Sequence, residues 1–274
     1  MAVAAAAALS WGHFEAGWVR LRSRRVEVPD LAPELAGLRI VHLSDLHLGM
    51  PSRGARAVER AVTWAAERRP DLVLISGDLL SHPRGEARLR ALVERLPNCF
   101  AVLGNHDFAT TRDPFARAAP VEELGSAVLL SDSSRVVDVR GRRVQIVGVD
   151  PRSYARGRAR PPRLADRDAD LRILLCHFPG VVDKLPPGTF HLVLAGHMHA
   201  GQINLPRPGG KVRLAHLRWH YAEGVYSRPG GVLHLSPGLG TTFIPFRFFA
   251  RPEATELVLS PVTGVVSRGY PLTP

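Results

Sequence analysis

The sequence predicts a layered α/β fold, and three observations carry that prediction. Short apolar runs rich in Val, Ile and Leu recur along the chain. Amphipathic stretches of helical period separate the first of them, and from residue 203 onward Gly and Pro become dense while helices drop out. Continuous apolar runs are the signature of strands buried on both faces, and their alternation with helices stacks a sheet against helical layers. The tail predicts a second, more antiparallel sheet packed on the first. No repeat or linker divides the 274 residues, so residues 1–36 read as an N-terminal lead-in and residues 37–274 as one domain.

Residues 1–9 are apolar but too short to span a bilayer, which takes ~20 residues, and they lack the basic start of a signal peptide. Trp11, Phe14 and Trp18 recur at helical spacing, with Arg20, Arg22, Arg24 and Arg25 close behind. That pattern fits an interfacial anchor or a helix packed on the domain. Strands are predicted at 38–44 (LRIVHLS), 72–76 (LVLIS), 99–103 (CFAVL), 144–149 (VQIVGV), 171–176 (LRILLC), 191–195 (HLVLA) and 232–236 (VLHLS). Helices are predicted at 53–69, at 85–96 and at 114–124, the last with Asp113 as N-cap before Pro114. The run 243–249 (FIPFRFF) reads as core packing.

Composition narrows the partners. Hydrophobic residues make up 45% of the chain and charged residues 22%, an ordinary globular balance, yet the formal charge is +11. Arginine carries it, because Lys184 and Lys211 are the only lysines. Such a surplus suits anionic partners, but the arginines are scattered and no interleaved aromatic and basic cluster indicates nucleic acid. Cys99 and Cys176 lie inside strand-like runs and read as small buried thiols.

The residues that can do chemistry cluster at the strand ends. Asp45 and His47 come directly after the first strand, in SDLHLG, and Asp78 after the second, in GDLL. Asn105, His106 and Asp107 come after the third, in GNHD; His177 comes after LRILLC; His197 and His199 come after HLVLA. Ligand sites in open α/β sheets lie at the carboxyl ends of strands, so these groups are expected to converge. Residues i and i+2 of an extended segment project to one side, so His197 and His199 are expected to reach a shared site. The donors are carboxylate and amide oxygens and imidazole nitrogens with no thiolate, which suits divalent Mn, Fe or Zn. Seven such groups (Asp45, His47, Asp78, Asn105, His177, His197 and His199) are too many for one ion and suit two, with Asp78 the central candidate for a bridge. Gly49, Gly77, Gly104 and Gly196 let the backbone turn tightly beside them. Asp150 ends a strand in the same way. His42, His191 and His234 sit within strands and read as core or edge residues; His13, His82, His216 and His220 read as surface groups.

The ordered set D-x-H, G-D, G-N-H-D, H and G-H-x-H, spanning residues 45–199 and continuing through Gly201 and Gln202, resembles the calcineurin-like metallophosphoesterase superfamily. The resemblance implies an α/β-β/α sandwich of two mixed sheets flanked by helices. It implies one metal at Asp45, His47, Asp78 and His199 and a second at Asp78, Asn105, His177 and His197. It assigns His106 as proton donor or phosphate-binding group, oriented by Asp107, and implies hydrolysis of a phosphodiester or phosphomonoester by a hydroxide bridging the metals. "GLRIVHLSDLHLG", "GHMHAGQI" and "GLGTTFIPFRFFARPE" are similar to the bacterial YkuE-like branch. That branch includes enzymes acting on lipid-linked diphosphates, and its members often carry an N-terminal membrane segment. Two positions depart from the pattern: Ala200 stands where glycine is usual, and Pro237 where an arginine often does, which removes a phosphate-binding cation. The expectation is a cytoplasmic enzyme, peripheral to the inner face of the membrane, acting on a phosphorylated small molecule or lipid-linked substrate. A metal-dependent nuclease and a catalytically silent scaffold are the alternatives. No substrate-binding residue is assigned.

Overall fold

A computed structural model describes residues 2–215 and 220–262. The chain opens with α1 (Ala2–Glu15) and β1 (Arg20–Val28), then β2 (Arg39–Leu43), α2 (Gly54–Arg68), β3 (Leu72–Ser76), α3 (Glu86–Val93), β4 (Cys99–Val102) and β5 (Val128–Leu129). A second run comprises β6 (Ser133–Val139), β7 (Arg142–Gly148), α4 (Pro151–Ala155), β8 (Leu171–Leu175) and β9 (Leu192–Ala195). The tail holds β10 (Asn204–Arg207), β11 (Gly210–Arg213), β12 (Gly224–Arg228), β13 (Gly231–Leu235) and β14 (Glu253–Pro261). These form two six-stranded mixed sheets, ordered β1-β14-β2-β3-β4-β5 and β12-β13-β9-β8-β7-β6, with β10-β11 a separate hairpin.

Side-chain alternation explains the layering. Along β2, Ile40 joins the core between the sheets, while Val41 and Leu43 join the core under the helices. Leu72 and Leu74 of β3, Ile173 and Leu175 of β8 and Leu192 and Leu194 of β9 also fill the space between the sheets. On the outer face of the first sheet, Ala57, Val58, Ala61, Val62 and Ala65 of α2 pack with Leu89 and Leu92 of α3. Val147, Leu174, Val193 and Leu233 point to the outer face of the second sheet. Both faces of each central strand are therefore dry, as the apolar runs require. β2, β3 and β4 run parallel to one another, as do β7, β8, β9 and β13.

Three readings of the sequence differ from the structure. Residues 114–124 are not a helix. Asp113 caps only one turn, accepting from Phe115 N at 2.9 Å. Arg117 N and Ala119 N then bond outward to the carbonyls of Ser81 and Asp107, and Pro120 offers no N–H to continue. The second sheet does not begin at residue 203 but at Ser133, and it is mixed, not mainly antiparallel. The tail supplies only β12 and β13 to that sheet, while β14 returns to the first. There β14 pairs antiparallel with β2 and parallel with β1, in the register Arg20↔Glu253.

Candidate metal centre

The strand ends reach the site through strained turns. Asp45 (φ 53°), His47 (φ 44°), Asp78 (φ 51°), His197 (φ 74°), His199 (φ 49°), Ala200 (φ 52°) and Gln202 (φ 51°) are all left-handed. Such backbone costs on the order of 1–3 kcal/mol per residue and persists only where its surroundings over-determine it. Here the turns lace together: Asp45 N donates to Gly77 O at 2.9 Å, and His47 N to Asp78 O at 3.0 Å. Two glycines admit the functional groups themselves. A Cβ on Gly104 would lie 2.1 Å from Asp78 Oδ1, and one on Gly196 1.9 Å from Ser44 Oγ. The segment 197–199 is not extended, so the two rings do not project side by side. His197 and His199 are left-handed around a right-handed Met198, and the rings diverge into two neighbouring clusters.

The first cluster gathers Asp45, His47, Asp78 and His199. His199 Nε2 lies 3.1 Å from His47 Nε2 and 3.3 Å from Asp45 Oδ1, and His47 Nε2 lies 3.5 Å from Asp78 Oδ2. The second gathers Asp78, His177 and His197, with Asn105 beside them. His177 Nε2 is 3.1 Å from Asp78 Oδ2, 3.1 Å from Asn105 Oδ1 and 3.2 Å from His197 Nδ1. One oxygen, Asp78 Oδ2, therefore faces both clusters. Its partner Oδ1 accepts from His106 N at 2.8 Å.

The donor atoms fit divalent metal. His177 Nδ1 lies 2.9 Å from the carbonyl oxygen of Ser76, which can only accept, so the ring proton sits there and a neutral ring turns its Nε2 lone pair inward. That nitrogen faces a carboxylate, an amide oxygen and another imidazole nitrogen, an arrangement satisfied by a metal ion or, without one, by a proton on Nε2. Ligand bonds of about 2.0–2.2 Å set neighbouring donors roughly 3.0–3.6 Å apart, which is the spacing found. The charges agree. Burial works against a charged His177, yet Asp78 and Asp45 with the Ser76 carbonyl raise its pKa to about 9. Burial raises Asp45 to about 6. Burial also pushes against Asp78, but the surrounding histidines, His177 foremost, hold it well below the usual carboxylate range.

His106 and Asp107 lie against this centre in different ways. His106 is 5% exposed, its Nδ1 has no partner, and its ring stands perpendicular to that of His47, centroids 4.7 Å apart. Burial lowers its pKa, with Asp78 the main opposing charge. Asp107 does not serve as the orienting partner of His106. Its oxygens take the backbone N–H groups of Gly104 (2.7 Å), Leu80 (2.7 Å) and Leu79 (3.2 Å), so the carboxylate ties the turn after β4 to the turn after β3. Asp150 stands apart, capping α4 through Arg152 N and pairing with the Arg152 guanidinium at 2.7 Å.

Some groups at the site had no motif to announce them. Ser81 Oγ holds His47 Nδ1 at 2.7 Å. Arg247, read as part of an apolar run, is fully buried, its Nη2 3.2 Å from His199 Nδ1. The carbonyls of Gly240, Pro237 and Ala250 cage its guanidinium, and burial lowers its pKa to about 10. A lone arginine among aromatics was the available signal. His216 lies outside the described residues. One hollow, of about 170 Å³ between Phe108, Arg152, Phe178 and His197, opens onto the second cluster; another, of about 350 Å³, is walled by Met50, Pro51, Phe115, Phe243 and Ile244 with Arg84 and Arg117 and contains none of the donor residues.

Comparison with known proteins gives concordant matches. Residues 38–201 match the family described as calcineurin-like phosphoesterase. The metallophosphoesterase YkoQ of Bacillus subtilis is 26% identical, over 86% of this chain and 89% of its own. The phosphodiesterase YaeI of Escherichia coli is 24% identical over 94% of each chain. The UDP-2,3-diacylglucosamine pyrophosphatase LpxG of Chlamydia muridarum is 26% identical, over 92% of this chain and 93% of its own.

Proposed function

The chain belongs to the calcineurin-like phosphoesterase family and is a metal-dependent phosphoric ester hydrolase, and from that premise we propose that it works with two divalent ions, Mn, Fe or Zn, on a phosphate ester that is lipid-linked. The observation that carries the binuclear reading is the single oxygen of Asp78 shared by the two donor clusters. Asp45, His47 and His199 would complete one ion's set, and Asn105, His177 and His197 the other's. Ions held there would supply Lewis acidity and a nucleophile from water at neutral pH. The protein's part is orientation and proton handling. His106, with its free Nδ1, would protonate the leaving oxygen or hold a phosphate oxygen. Asp107 would act one step back, keeping the turn that carries His106 in place.

Two features support a lipid-linked diphosphate. The hollow walled by Phe115, Phe243 and Ile244 is apolar beside two arginines, which suits an acyl chain next to phosphate. The smaller hollow offers aromatic faces, with Arg152 4.2 Å over the Phe108 ring, which suits a planar group. The similarity to a UDP-2,3-diacylglucosamine pyrophosphatase agrees with both. Among the described residues no helix is long and apolar enough to cross a membrane. α1 nevertheless leaves Val3, Leu9, Trp11 and Phe14 exposed, and peripheral attachment to the cytoplasmic face of the membrane is part of the proposal. The nuclease reading gains no support from the arginines on β1, since Arg20, Arg22 and Arg24 pair with Glu253.

A hydrolysis screen tests the reading. It compares nitrophenyl phosphate mono- and diesters with a UDP-linked diacyl sugar, with bound metal counted in parallel. Cleavage of the lipid-linked diphosphate in preference to short-chain analogues is the expected result. Equal rates with and without acyl chains would remove the lipid part of the reading.

A further inference from the structure

We propose that His42 and His234 are positioning residues for the metal centre, acting through a buried chain of hydrogen bonds that runs by way of Ser76 and Ser44 to Asp45. The proposal deepens the function above and rests on the metal centre assigned there.

The inward-facing residues of three strands change character together. Ile40 on β2, Leu72 and Leu74 on β3 and Val232 on β13 fill the space between the sheets. One step toward the carboxyl ends the same faces carry His42, Ser76 and His234, all with no solvent exposure. His42 Nδ1 lies 2.7 Å from His234 Nδ1, and His42 Nε2 lies 2.8 Å from Ser76 Oγ. Ser76 Oγ lies 2.8 Å from Ser44 Oγ, which lies 2.5 Å from Asp45 Oδ2. Two imidazoles and two hydroxyls thus form one polar layer beneath the centre, where apolar side chains would cost less to bury.

Proton counting gives the chain one direction. A carboxylate only accepts, so the Ser44 hydroxyl donates to Asp45. Its one proton is then used, and Ser44 Oγ must accept from Ser76; the 3.5 Å contact from Ser44 to the Ser76 carbonyl is too long to compete. Ser76 must accept in turn, so His42 carries its proton on Nε2. A neutral His42 then presents a lone pair at Nδ1, and His234 must donate to it from Nδ1. The chain ends at His234 Nε2, a buried atom with no partner. Each link accepts on one side and donates on the other.

The consequence falls on Asp45. The backbone N–H of His197 reaches both of its oxygens, at 3.0 and 3.2 Å, so Ser44 is what tells them apart: Oδ2 takes the Ser44 hydroxyl, while Oδ1 lies 3.3 Å from His199 Nε2 and faces the first cluster. The chain thus sets which oxygen meets a cation and, together with the His197 N–H, holds the carboxyl against rotation. Groups that orient ligands in this way contribute about 10–100-fold to metal affinity.

Two measurements on the full chain test this. Ring ¹⁵N–¹H correlation spectra of the metal-free protein should show His42 protonated at Nε2 and His234 at Nδ1; the opposite tautomers would overturn the polarity and the proposal with it. Mn²⁺ titration should show about 10–100-fold weaker binding for His42→Phe and for Ser44→Ala. Combining the two should add nothing to Ser44→Ala alone, because the histidine acts only through the serine. A His42→Phe that melts earlier but binds Mn²⁺ as the wild type does would reduce the histidine to packing. So would effects of the two substitutions that simply add. The milder Ser44→Ala decides the matter if His42→Phe does not fold. A wild type that takes up no divalent ion would overturn the functional reading instead, whichever tautomers are seen.

Discussion

At the scale of single residues, the motifs name the groups at the centre but not their partners. GNHD makes His106 and Asp107 visible, yet the reach of Asp107 to three backbone N–H groups depends on how two turns meet in space. Ser44, Ser76, Ser81 and Arg247 carry no spacing that would mark them. Two predictions belong here. His106 is absent from both donor clusters, so His106→Ala should keep its metals and lose about 10²–10⁴-fold in kcat. The loss should shrink for leaving groups that need no proton. Equal losses for nitrophenyl and alkyl esters would leave phosphate binding as its only role. The second concerns protons. His177 titrates at about 9 and Asp45 at about 6 without metal, and a bound cation must displace those protons. Metal affinity should therefore climb as pH rises from about 6 to about 9. Near pH 7.5, where Asp45 is already ionised, His177 should release about one proton on binding. Calorimetry in buffers of different ionisation heat counts it, and identical heats would rule the release out.

At the scale of elements, the central strands and α2 were legible because a buried parallel strand and a one-faced helix each have a period of their own. β1 was not, because RLRSRRVEV mixes arginines with valines at a sheet edge, where Arg20, Arg22 and Arg24 gather on the single carboxylate of Glu253. The helix expected at 114–124 failed because its N–H groups found carbonyls on neighbouring turns. α1 shows how one contact can dock an element. Glu15 is buried and accepts from Phe249 N at 3.0 Å and Ala250 N at 2.7 Å, while Gly12 lets the Phe248 ring lie against the helix. Glu15→Ala would strand both N–H groups and should cost about 2–4 kcal/mol, read as a lower Tm. An unchanged Tm would mean that the Glu15 carboxylate does not dock the helix, leaving the Arg247 N–H on the Gly12 carbonyl and the apolar contacts to do so.

At the scale of the whole molecule, the strand order explains why a centre exists at all. Two sheets share one apolar layer, and their parallel strands deliver ligands from both sides to a common edge. Such convergence was legible from the order of the motifs, but the partition of the strands between sheets was not, since the return of β14 to the first sheet is a long-range pairing. The exposed face of α1 gives a molecular-scale prediction. Trp11 and Phe14 of α1 gather with Trp18 just beyond it, in tilted and edge-on contacts with centroids 5.5–6.2 Å apart, and Trp is a residue type enriched at membrane interfaces. The chain should float with anionic liposomes at low salt, and Trp11→Ser with Phe14→Ser should abolish this; a wild type that stays behind would exclude membrane contact through α1. Whether one carboxylate oxygen serves two ions is read from elemental analysis of the wild type beside Asp78→Asn. The wild type should carry two divalent ions per chain, and Asp78→Asn should lose both together with the phosphoesterase activity; a variant that retains both ions would show that Asp78 is not the shared ligand.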